Sequence, residues 1–474
     1  MKTTTLIPLT MALALAGCVN LAPKYARPAA PVAAGYPTVE GTVNSGNPVA
    51  ADAPVNIAWQ RFFADARLQR LIELALANNR DLRVSILNVE QARAAYRIQR
   101  ADRLPTINAA VTGNRVTTGE DQPINSTYQA GLAVTSFELD FFGRVRNLSQ
   151  EALAQFLATE EARKTAQISL VSQVATTYLT FLADEELLAL TQQTLKTREE
   201  SLRLTQLRFD NGVSSKLDLQ QAVSLVEQAR TTLAQAQRQR AQDVNLLTLL
   251  IGQPIPADLP QGATLATTNL PDLPAGMPSD LLANRPDIRS AEQQLIGANA
   301  NIGAARANYF PRITLTGSAG SASTELSGLF KSGTFGWTFA PQAILPIFDY
   351  GRVRAGVDTA RAGRDIAVAQ YEKSIQTAFR EVADALAGQA TYSEQLRAQQ
   401  AVAQAEADRF NLSDLRYRNG TASYLDLLDA QRSLFTAQQQ AIQANLARLQ
   451  NQVVLYRVLG GGWSEPANPA TAAR

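Results

Sequence analysis

The feature that most constrains this chain is an internal repeat that covers most of its length. The segment LRFDNGVSSKLDL at 207–219 matches LRYRNGTASYLDL at 415–427, which lies 208 positions later. The same spacing relates Phe142-Gly143-Arg144 to Tyr350-Gly351-Arg352. Two copies of one structural unit, each of about 200 residues, therefore replace the several independent domains that the chain's length alone would suggest.

Hydrophobic periodicity predicts the same order of elements in both copies. Each has a helix, a β-hairpin of alternating apolar and polar residues, a long helix and a shorter returning helix. In the first copy these are predicted at 68–104, about 106–138, 144–208 and 217–250; in the second they are predicted at 287–310, about 312–345, 352–416 and 425–459. Apolar residues recur every seven positions from Val174 to Phe209 in the first copy and from Leu396 to Tyr417 in the second. These two heptad columns predict coiled-coil packing of the long helices.

The first 56 residues predict an exported chain with a tether. The apolar run from Leu6 to Ala16 has the length of a signal-peptide core and is too short to span a bilayer. We therefore predict a signal peptide at 1–17 and, because prolines are frequent up to residue 56, an extended tether at 18–56. The two repeats are placed at 57–270 and 271–463, and a flexible C-terminal tail at 464–474.

Composition argues against most enzyme classes. The chain has no histidine and one cysteine, Cys18, which excludes histidine-dependent catalysis, zinc sites with histidine ligands and disulfides within the chain. Lys plus Arg number 44 against 42 for Asp plus Glu, so no basic field favours nucleic acid. We predict a protein that is not an enzyme and has no cofactor, no metal site and no nucleic-acid partner.

Four motifs resemble those of the TolC-like outer-membrane factor family. They are LLANRPDI at 281–288, ANANIGAAR at 298–306, ELDFFGR at 138–144 and LGGGW at 459–463. The similarity is greatest to the lipidated OprM-like branch, because Leu15-Ala16-Gly17-Cys18 resembles a lipobox. The resemblance implies cleavage before Cys18, which would carry the lipid (palmitate), and Val19 resembles the sorting signal for the outer membrane.

The resemblance also implies a fold and a function. The fold would be mainly α with a small β part: long antiparallel coiled-coil helices form an α-barrel, and four membrane strands per chain complete a twelve-stranded β-barrel in a homotrimer. The function would be the outer-membrane channel of a tripartite multidrug efflux system of a Gram-negative bacterium. The implied partners are outer-membrane lipid, a periplasmic adaptor and an inner-membrane transporter of the resistance-nodulation-division (RND) class. Conduction would be passive, because the chain has no phosphate-binding loop for a nucleotide.

Other functions stay open at this point. Within the same family, the chain could be a duct for metal ions or for secreted proteins. Outside it, a lipid-anchored structural coiled-coil protein would also carry long heptad helices, although it would not need two copies of a strand hairpin.

In the resembled family, the turns between long and returning helices narrow the channel. The matching acidic residues here are Asp426 and Asp429, with Asp218 as the first-copy counterpart of Asp426. These acids would form a cation-attracting gate, which Arg416 and Tyr417 would latch against a neighbouring helix. The alternative is that Asp218 and Asp426 only cap their helices, and that Tyr417 only ends the heptad column.

Overall fold

The computed structural model describes residues 20–37, 57–117, 119, 123–273 and 278–463. The predicted signal peptide, Cys18 and the tail at 464–474 lie outside the described residues, as do residues 38–56 of the tether. The predictions for these segments therefore stay predictions. The division between the two repeats at residue 270 also stays a prediction. Residues 20–37 contain no helix and no strand, and the predicted extended tether stays a prediction.

The described elements follow the predicted order in both repeats. The first repeat contains α1 (Trp59–Phe62), α2 (Ala66–Asn78), α3 (Arg80–Ala101), β1 (Ile107–Val116), β2 (Asn125–Glu138), α4 (Arg144–Asp210) and α5 (Lys216–Ile251). The second contains α6 (Pro278–Asn284), α7 (Pro286–Ala307), β3 (Arg312–Ser323), β4 (Phe335–Ile344), α8 (Arg352–Arg418) and α9 (Tyr424–Val458). The long helices α4 and α8 have 67 residues each.

The prediction of one helix over 68–104 is wrong, because the chain breaks at Asn79. This residue has an extended backbone with φ −59° and ψ 131°. Its side-chain oxygen accepts from the Leu82 amide at 2.9 Å, and its side-chain nitrogen donates to the Leu250 carbonyl at 2.9 Å. Asparagine competes well for such capping positions, so a new helix begins at Arg80 where hydrophobic periodicity alone suggested continuity.

The two predicted hairpins join into one antiparallel sheet with the strand order β1-β2-β3-β4. β2 pairs with β3 at, for example, Val134 with Gly317, and a bulge follows between Val134 and Phe137. Gly131 faces Gly320 in this pairing, and a Cβ on Gly131 would lie 2.6 Å from the Gly320 Cα. Two glycines therefore allow the hairpins of the two repeats to approach each other. In this sheet β1 and β4 are the edge strands.

The chain divides into two compact units, and each unit takes segments from both repeats. Among the described residues, the first unit takes those within 20–30, 87–161 and 289–374 and contains the sheet. The second takes those within 31–86, 162–288 and 375–463 and contains the turns at the ends of α4 and α8.

The second unit has an aromatic core at its N-terminal helix. The ring of Phe62 stacks on that of Tyr456 with centroids 4.1 Å apart, and the Tyr456 hydroxyl donates to the Ile57 carbonyl. In the same unit Arg285 is 8% exposed and makes ion pairs with Asp287 at 2.7 Å and with Glu381 at 2.9 Å. A buried guanidinium of this kind is stable only because carboxylates neutralise it.

The heptad column of the long helices faces their neighbours. In the column of α4, Val174 and Phe181 are buried, and the four that follow at seven-residue spacing, Leu188, Leu195, Leu202 and Phe209, are partly buried. This burial confirms the predicted packing. None of the helices in the described part of the chain combines the length and the apolar character that a membrane-spanning helix requires.

Candidate functional site

The helix turns of the two repeats have the same construction. In the first turn the Gly212 amide donates to the Phe209 carbonyl at 2.9 Å, and the Val213 amide donates to the Arg208 carbonyl at 2.8 Å. The corresponding bonds in the turn at Gly420 are 3.0 and 2.9 Å. Both glycines have a positive φ, 72° and 74°, which residues with a side chain rarely adopt. The sequence repeat is therefore reproduced in the backbone.

Asp218 and Asp426 both cap the helix that follows their turn. The Ser215 hydroxyl accepts from the Asp218 amide, and the Asp218 carboxylate accepts from the Ser215 amide, each at 3.1 Å. Ser423 and Asp426 repeat this box at 3.3 and 3.2 Å. The predicted capping contacts are thus present at both turns, where a box of this kind contributes about 1 kcal/mol.

The ionisation of Asp218 follows from its capping contacts. Partial burial on its own raises the pKa of a carboxyl group, but hydrogen bonds from Ser215 and Ser214 outweigh it and hold the pKa of Asp218 below its ordinary value. The Asp218 carboxylate is therefore fully ionised at neutral pH.

Asp429 lies one turn further into α9 and makes a different contact. Its carboxylate forms an ion pair with Arg409 of α8, and the two side chains are 60% and 44% exposed. Arg409 also contacts Glu406 at 3.2 Å. Arg409 was not among the predicted site residues, and its counterpart in the first repeat is Ser201. An exposed pair contributes about 1 kcal/mol at most, so the Asp429 carboxylate is only weakly held.

Tyr417 faces the inside of the chain rather than solvent. It is 4% exposed and belongs to a cluster at the turns that includes Leu225 and Leu427. Its ring centroid lies 5.5 Å from that of Tyr424 and 4.4 Å from the Arg208 guanidinium carbon. Its hydroxyl has no hydrogen-bond partner among the described residues. Tyr417 therefore ends the heptad column as one interpretation predicted, and its role as a latch stays a prediction.

Arg208 and Arg416 occupy equivalent positions in the two repeats but have different surroundings. Arg208 donates through Nη2 to the carbonyls of Tyr417 and Arg418, at 3.2 and 3.3 Å. It thereby ties the first turn to the end of α8. Arg416 is exposed, and within the described part of the chain its guanidinium makes no hydrogen bond and no ion pair. The sequence analysis missed Arg208, although it belongs to the repeated Leu-Arg pair.

The sheet presents two different faces. The strand register places large apolar side chains side by side on one face: Ile107, Val111, Leu132, Phe335, Trp337 and Phe339. All six are exposed within the single chain, and Val111, Phe335 and Trp337 are more than 70% exposed. The opposite face carries small and polar residues such as Asn108, Ser318 and Thr338. A continuous exposed apolar face of this size requires a membrane or a partner.

The described part of the tether lies along α7. Arg27 makes an ion pair with Glu292 at 2.7 Å. The side chain of Asn299 donates to the Pro23 carbonyl at 2.7 Å, and Arg306 donates to the Leu21 carbonyl at 3.1 Å. The three α7 residues are seven positions apart, so they share one face of the helix. The tether therefore runs toward the end of α7 that leads into β3, and Leu21 is three positions after Cys18.

The described residues contain no group of three or more His, Cys, Asp or Glu side chains arranged to hold a metal ion.

The model of a known family matches the chain in two segments. It describes outer membrane efflux proteins, and it matches residues 71–253 and 277–461. The two segments follow the two repeats and together cover most of the chain.

Individual relatives match over nearly the full length. The solvent efflux pump outer membrane protein SrpC of Pseudomonas putida is 50% identical over 98% of this chain and 99% of its own length. The outer membrane protein OprJ of Pseudomonas aeruginosa is 46% identical over 96% and 95%. The open state of the MtrE outer membrane channel of Neisseria gonorrhoeae matches with a TM-score of 0.86 and 40% identity, over 94% of this chain and 99% of that one.

Proposed function

Because the chain belongs to the outer membrane efflux protein family, we propose that it acts as one third of a channel through which substrates leave the periplasm passively. The observation that carries this proposal is the four-stranded sheet with one exposed apolar face and two unpaired edges. The members of this family are outer membrane efflux proteins. No catalytic step is assigned to any residue.

Three copies are needed because one sheet cannot stand alone in lipid. An unpaired strand edge in hydrocarbon leaves backbone N–H and C=O groups without partners, so membrane sheets close into barrels, which begin at about eight strands. Four strands per chain are too few. A homotrimer supplies twelve, with β4 of one copy paired to β1 of the next, and the exposed apolar face then meets the lipid.

The internal repeat predicts the register of that seam. Ile107 pairs with Val134 in the first hairpin, and Ile313 pairs with Ala343 in the second, so these pairs correspond. Val134 of β2 therefore corresponds to Ala343 of β4. Gly317 of β3, four positions after Ile313, corresponds to Val111 of β1. Because Val134 pairs with Gly317 within the chain, we expect Ala343 of one copy to pair with Val111 of the next. We expect oxidation of the double variant Val111→Cys with Ala343→Cys to give a covalent trimer, measured by non-reducing gel electrophoresis of membranes.

A shifted pair is the matched control for this cross-link. Ala110 neighbours Val111 but points to the opposite face of the strand, so Ala110→Cys with Ala343→Cys should stay monomeric on the denaturing gel. The single variants show whether Cys18, the one native cysteine, contributes. Equal cross-linking of both pairs, or none in either, would contradict the proposed seam.

The relatives support a proposal for the other components of the pump and for its substrates. An outer-membrane channel needs a source of energy elsewhere, and we assign this to an inner-membrane RND transporter joined through a periplasmic adaptor. The similarity to a solvent efflux protein at 50% identity supports small organic molecules as substrates. The test compares the tolerance of a deletion strain to toluene and to antibiotics with and without the cloned gene. The gene should restore growth in the presence of these compounds if they are substrates.

We further propose that Cys18 carries a lipid that anchors the chain in the outer membrane. The contacts of residues 21–27 with α7 support this proposal, since they lead the tether toward the end of α7 that precedes β3. Mass spectrometry of the N-terminal peptide should find Cys18 as the first residue, with acyl chains attached. The Cys18→Ala variant is the control, because its N-terminal peptide should lack the added mass of the acyl chains. A mature chain that begins elsewhere, or a free thiol at Cys18, would refute lipidation.

The gate is assigned to the second-repeat turn. We propose that Asp426 and Asp429 supply the negative charge that favours cations, and that Arg416 joins the turn of one copy to its neighbour. Capping and gating are compatible at Asp426, because a carboxylate that caps a helix still carries its charge. Asp218 is assigned to capping.

A further inference from the structure

Two buried aspartates face each other between the long helix and the returning helix of the first repeat. Asp184 of α4 is 6% exposed and Asp243 of α5 is 5% exposed. The ion pair of Glu185 with Arg240, one helical turn before Asp243, has a distance of 3.0 Å and places both aspartates at the same level of the contact between α4 and α5. None of the N–H and O–H groups of the described residues donates to the Oδ2 atom of either one. Ionising both carboxyl groups would place two like charges together in a space without solvent, which favours retention of a proton by the pair.

The second repeat lacks this pair. The residues 208 positions later are Tyr392 and Asn451. Asn451 donates to the Ala385 carbonyl at 2.9 Å, an ordinary helix-to-helix contact that does not titrate. The acid pair is therefore not required by the fold that the two repeats share.

The charged groups around the pair do not neutralise it. Glu185, next to Asp184, is bonded to Arg240 of α5 at 3.0 Å. Helix α9 also packs against α4, where the side chain of Gln450 donates to the Thr180 hydroxyl. The charged residue of α9 nearest to Gln450 in the sequence is Arg448, which donates to Asn445. Glu186 on α4 also has a raised pKa, because it is partly buried. On α2, the guanidinium carbon of Arg67 lies 6.0 Å from the centroid of the Phe181 ring of α4. The shift in the pKa of Asp184 is caused by its burial and by Asp243.

Burial first, and then the hydrogen bond and the charge of Asp243, raise the pKa of Asp184 to about 7. An isolated pair of this kind releases its proton only when the solution becomes nearly neutral, because the second negative charge is created in a space without solvent.

We propose that Asp184 and Asp243 form a proton-dependent clamp between α4 and α5. With one shared proton the two carboxyl groups hold the helices together. When the proton leaves, two like charges face each other across the helix contact, and the helices separate until water reaches the carboxylates. The clamp makes the first-repeat helix pair tighter in acid than at neutral pH, and this inference does not depend on the proposed channel function.

The direction of the pH effect follows from the raised pKa. An aspartate in the unfolded chain loses its proton near pH 4, whereas the folded pair keeps it up to about pH 7. Over this interval the folded state binds more protons than the unfolded state, so the stability contributed by the pair falls as the pH rises through it. Above that interval the contribution is constant.

The test uses the full-length protein purified in detergent. Infrared difference spectra should show a protonated carboxylic acid band that disappears with a midpoint near pH 7 and is absent in Asp184→Asn. Apparent melting temperatures should fall by several degrees in the wild type between pH 4.5 and 7.5. In the double variant Asp184→Asn with Asp243→Asn, which keeps the shape of the protonated pair, this fall should be smaller.

Two further variants keep the outcome decisive. Asp243→Asn alone introduces the side chain that the second repeat carries at 451, so it is expected to fold. It should shift the midpoint of the infrared band to lower pH, because the contribution of Asp243 is lost while Asp184 stays buried. Asp384→Asn, at an exposed acid that pairs with Arg380, is the control that should titrate like the wild type. Superimposable pH profiles of the wild type and the double variant would overturn the clamp. A melting temperature raised by calcium or magnesium in the wild type alone would also overturn it, by identifying a cation site instead.

Discussion

Replacing Arg416 by alanine is expected to raise the conductance of the proposed trimeric channel strongly. Within one chain Arg208 binds the carbonyls at the end of α8, and Arg416 is its counterpart in the second repeat. In the proposed ring of three chains the second turn of one copy lies beside the first turn of the next. The repeat then places Arg416 against the carbonyls of Phe209 and Asp210 of the neighbouring copy, where the end of α4 attracts a cation.

The size of this effect follows from the bonds that would be lost. A hydrogen bond from a charged donor contributes about 1.5–3 kcal/mol, and about 1.4 kcal/mol corresponds to a tenfold change in an equilibrium. Losing the Arg416 bonds in all three copies should therefore shift the balance between closed and open turns by at least about tenfold. Single-channel recordings in planar bilayers measure this shift directly.

Arg418→Ala is the matched control for Arg416→Ala. Arg418 lies at the same helix end and carries the same charge, but it pairs with Asp414 of its own helix at 2.7 Å. Its removal changes the local charge without removing a contact between copies, so conductance should stay near the wild-type value. If both variants conduct alike, the effect belongs to the charge of the turn, and Arg416 is not a latch.

Much of the fold could be predicted because the repeat and the periodicity are both long-range patterns. The long helices were predicted to within about two residues at each end, and the alternation of apolar and polar residues gave all four strands. The break at Asn79 could not be predicted in this way, since it depends on a hydrogen bond to Leu250, which lies far away in the sequence. The pairing of β2 with β3 likewise depends on Gly131 and Gly320, which do not signal it locally.

The candidate site was predictable where its contacts are local. Ser423 and Asp426 are three positions apart, so their capping box can be seen in the sequence. Arg409 and Asp429 belong to different helices, and their ion pair requires knowing how α8 and α9 align. Asp184 and Asp243 were missed for the same reason. A repeat comparison would have found Arg208, because it matches Arg416 at the same spacing.

The double variant Asp426→Asn with Asp429→Asn should lose most of the cation preference of the channel. Three copies carry six of these carboxylates at the turns, and charge confined in a narrow passage favours ions of opposite sign. Asparagine keeps an oxygen that accepts the Ser423 amide, so the helix cap is retained while the charge is removed. Reversal potentials in a potassium chloride gradient should move from the cation side toward zero.

The two positions should contribute unequally, because only one of them has a neutralising partner. Arg409 pairs with Asp429, whereas the Asp426 carboxylate accepts only from Ser423 among the described residues. Asp426→Asn alone should therefore account for the larger part of the change. The Asp429 side chain is exposed. Raising the salt concentration should therefore screen its charge and weaken the cation preference that remains in Asp426→Asn.

Asp218→Asn separates the gate from the cap. Asp218 makes the same box with Ser215 in the first repeat, so its substitution perturbs a helix start of the same construction and removes one charge from each copy. We expect an unchanged reversal potential, because the gate is assigned to the second-repeat turn. If Asp218→Asn shifts selectivity as far as Asp426→Asn does, both turns line the narrow passage. If neither variant does, the acids at these turns serve the helices alone, and the selectivity of the channel arises elsewhere.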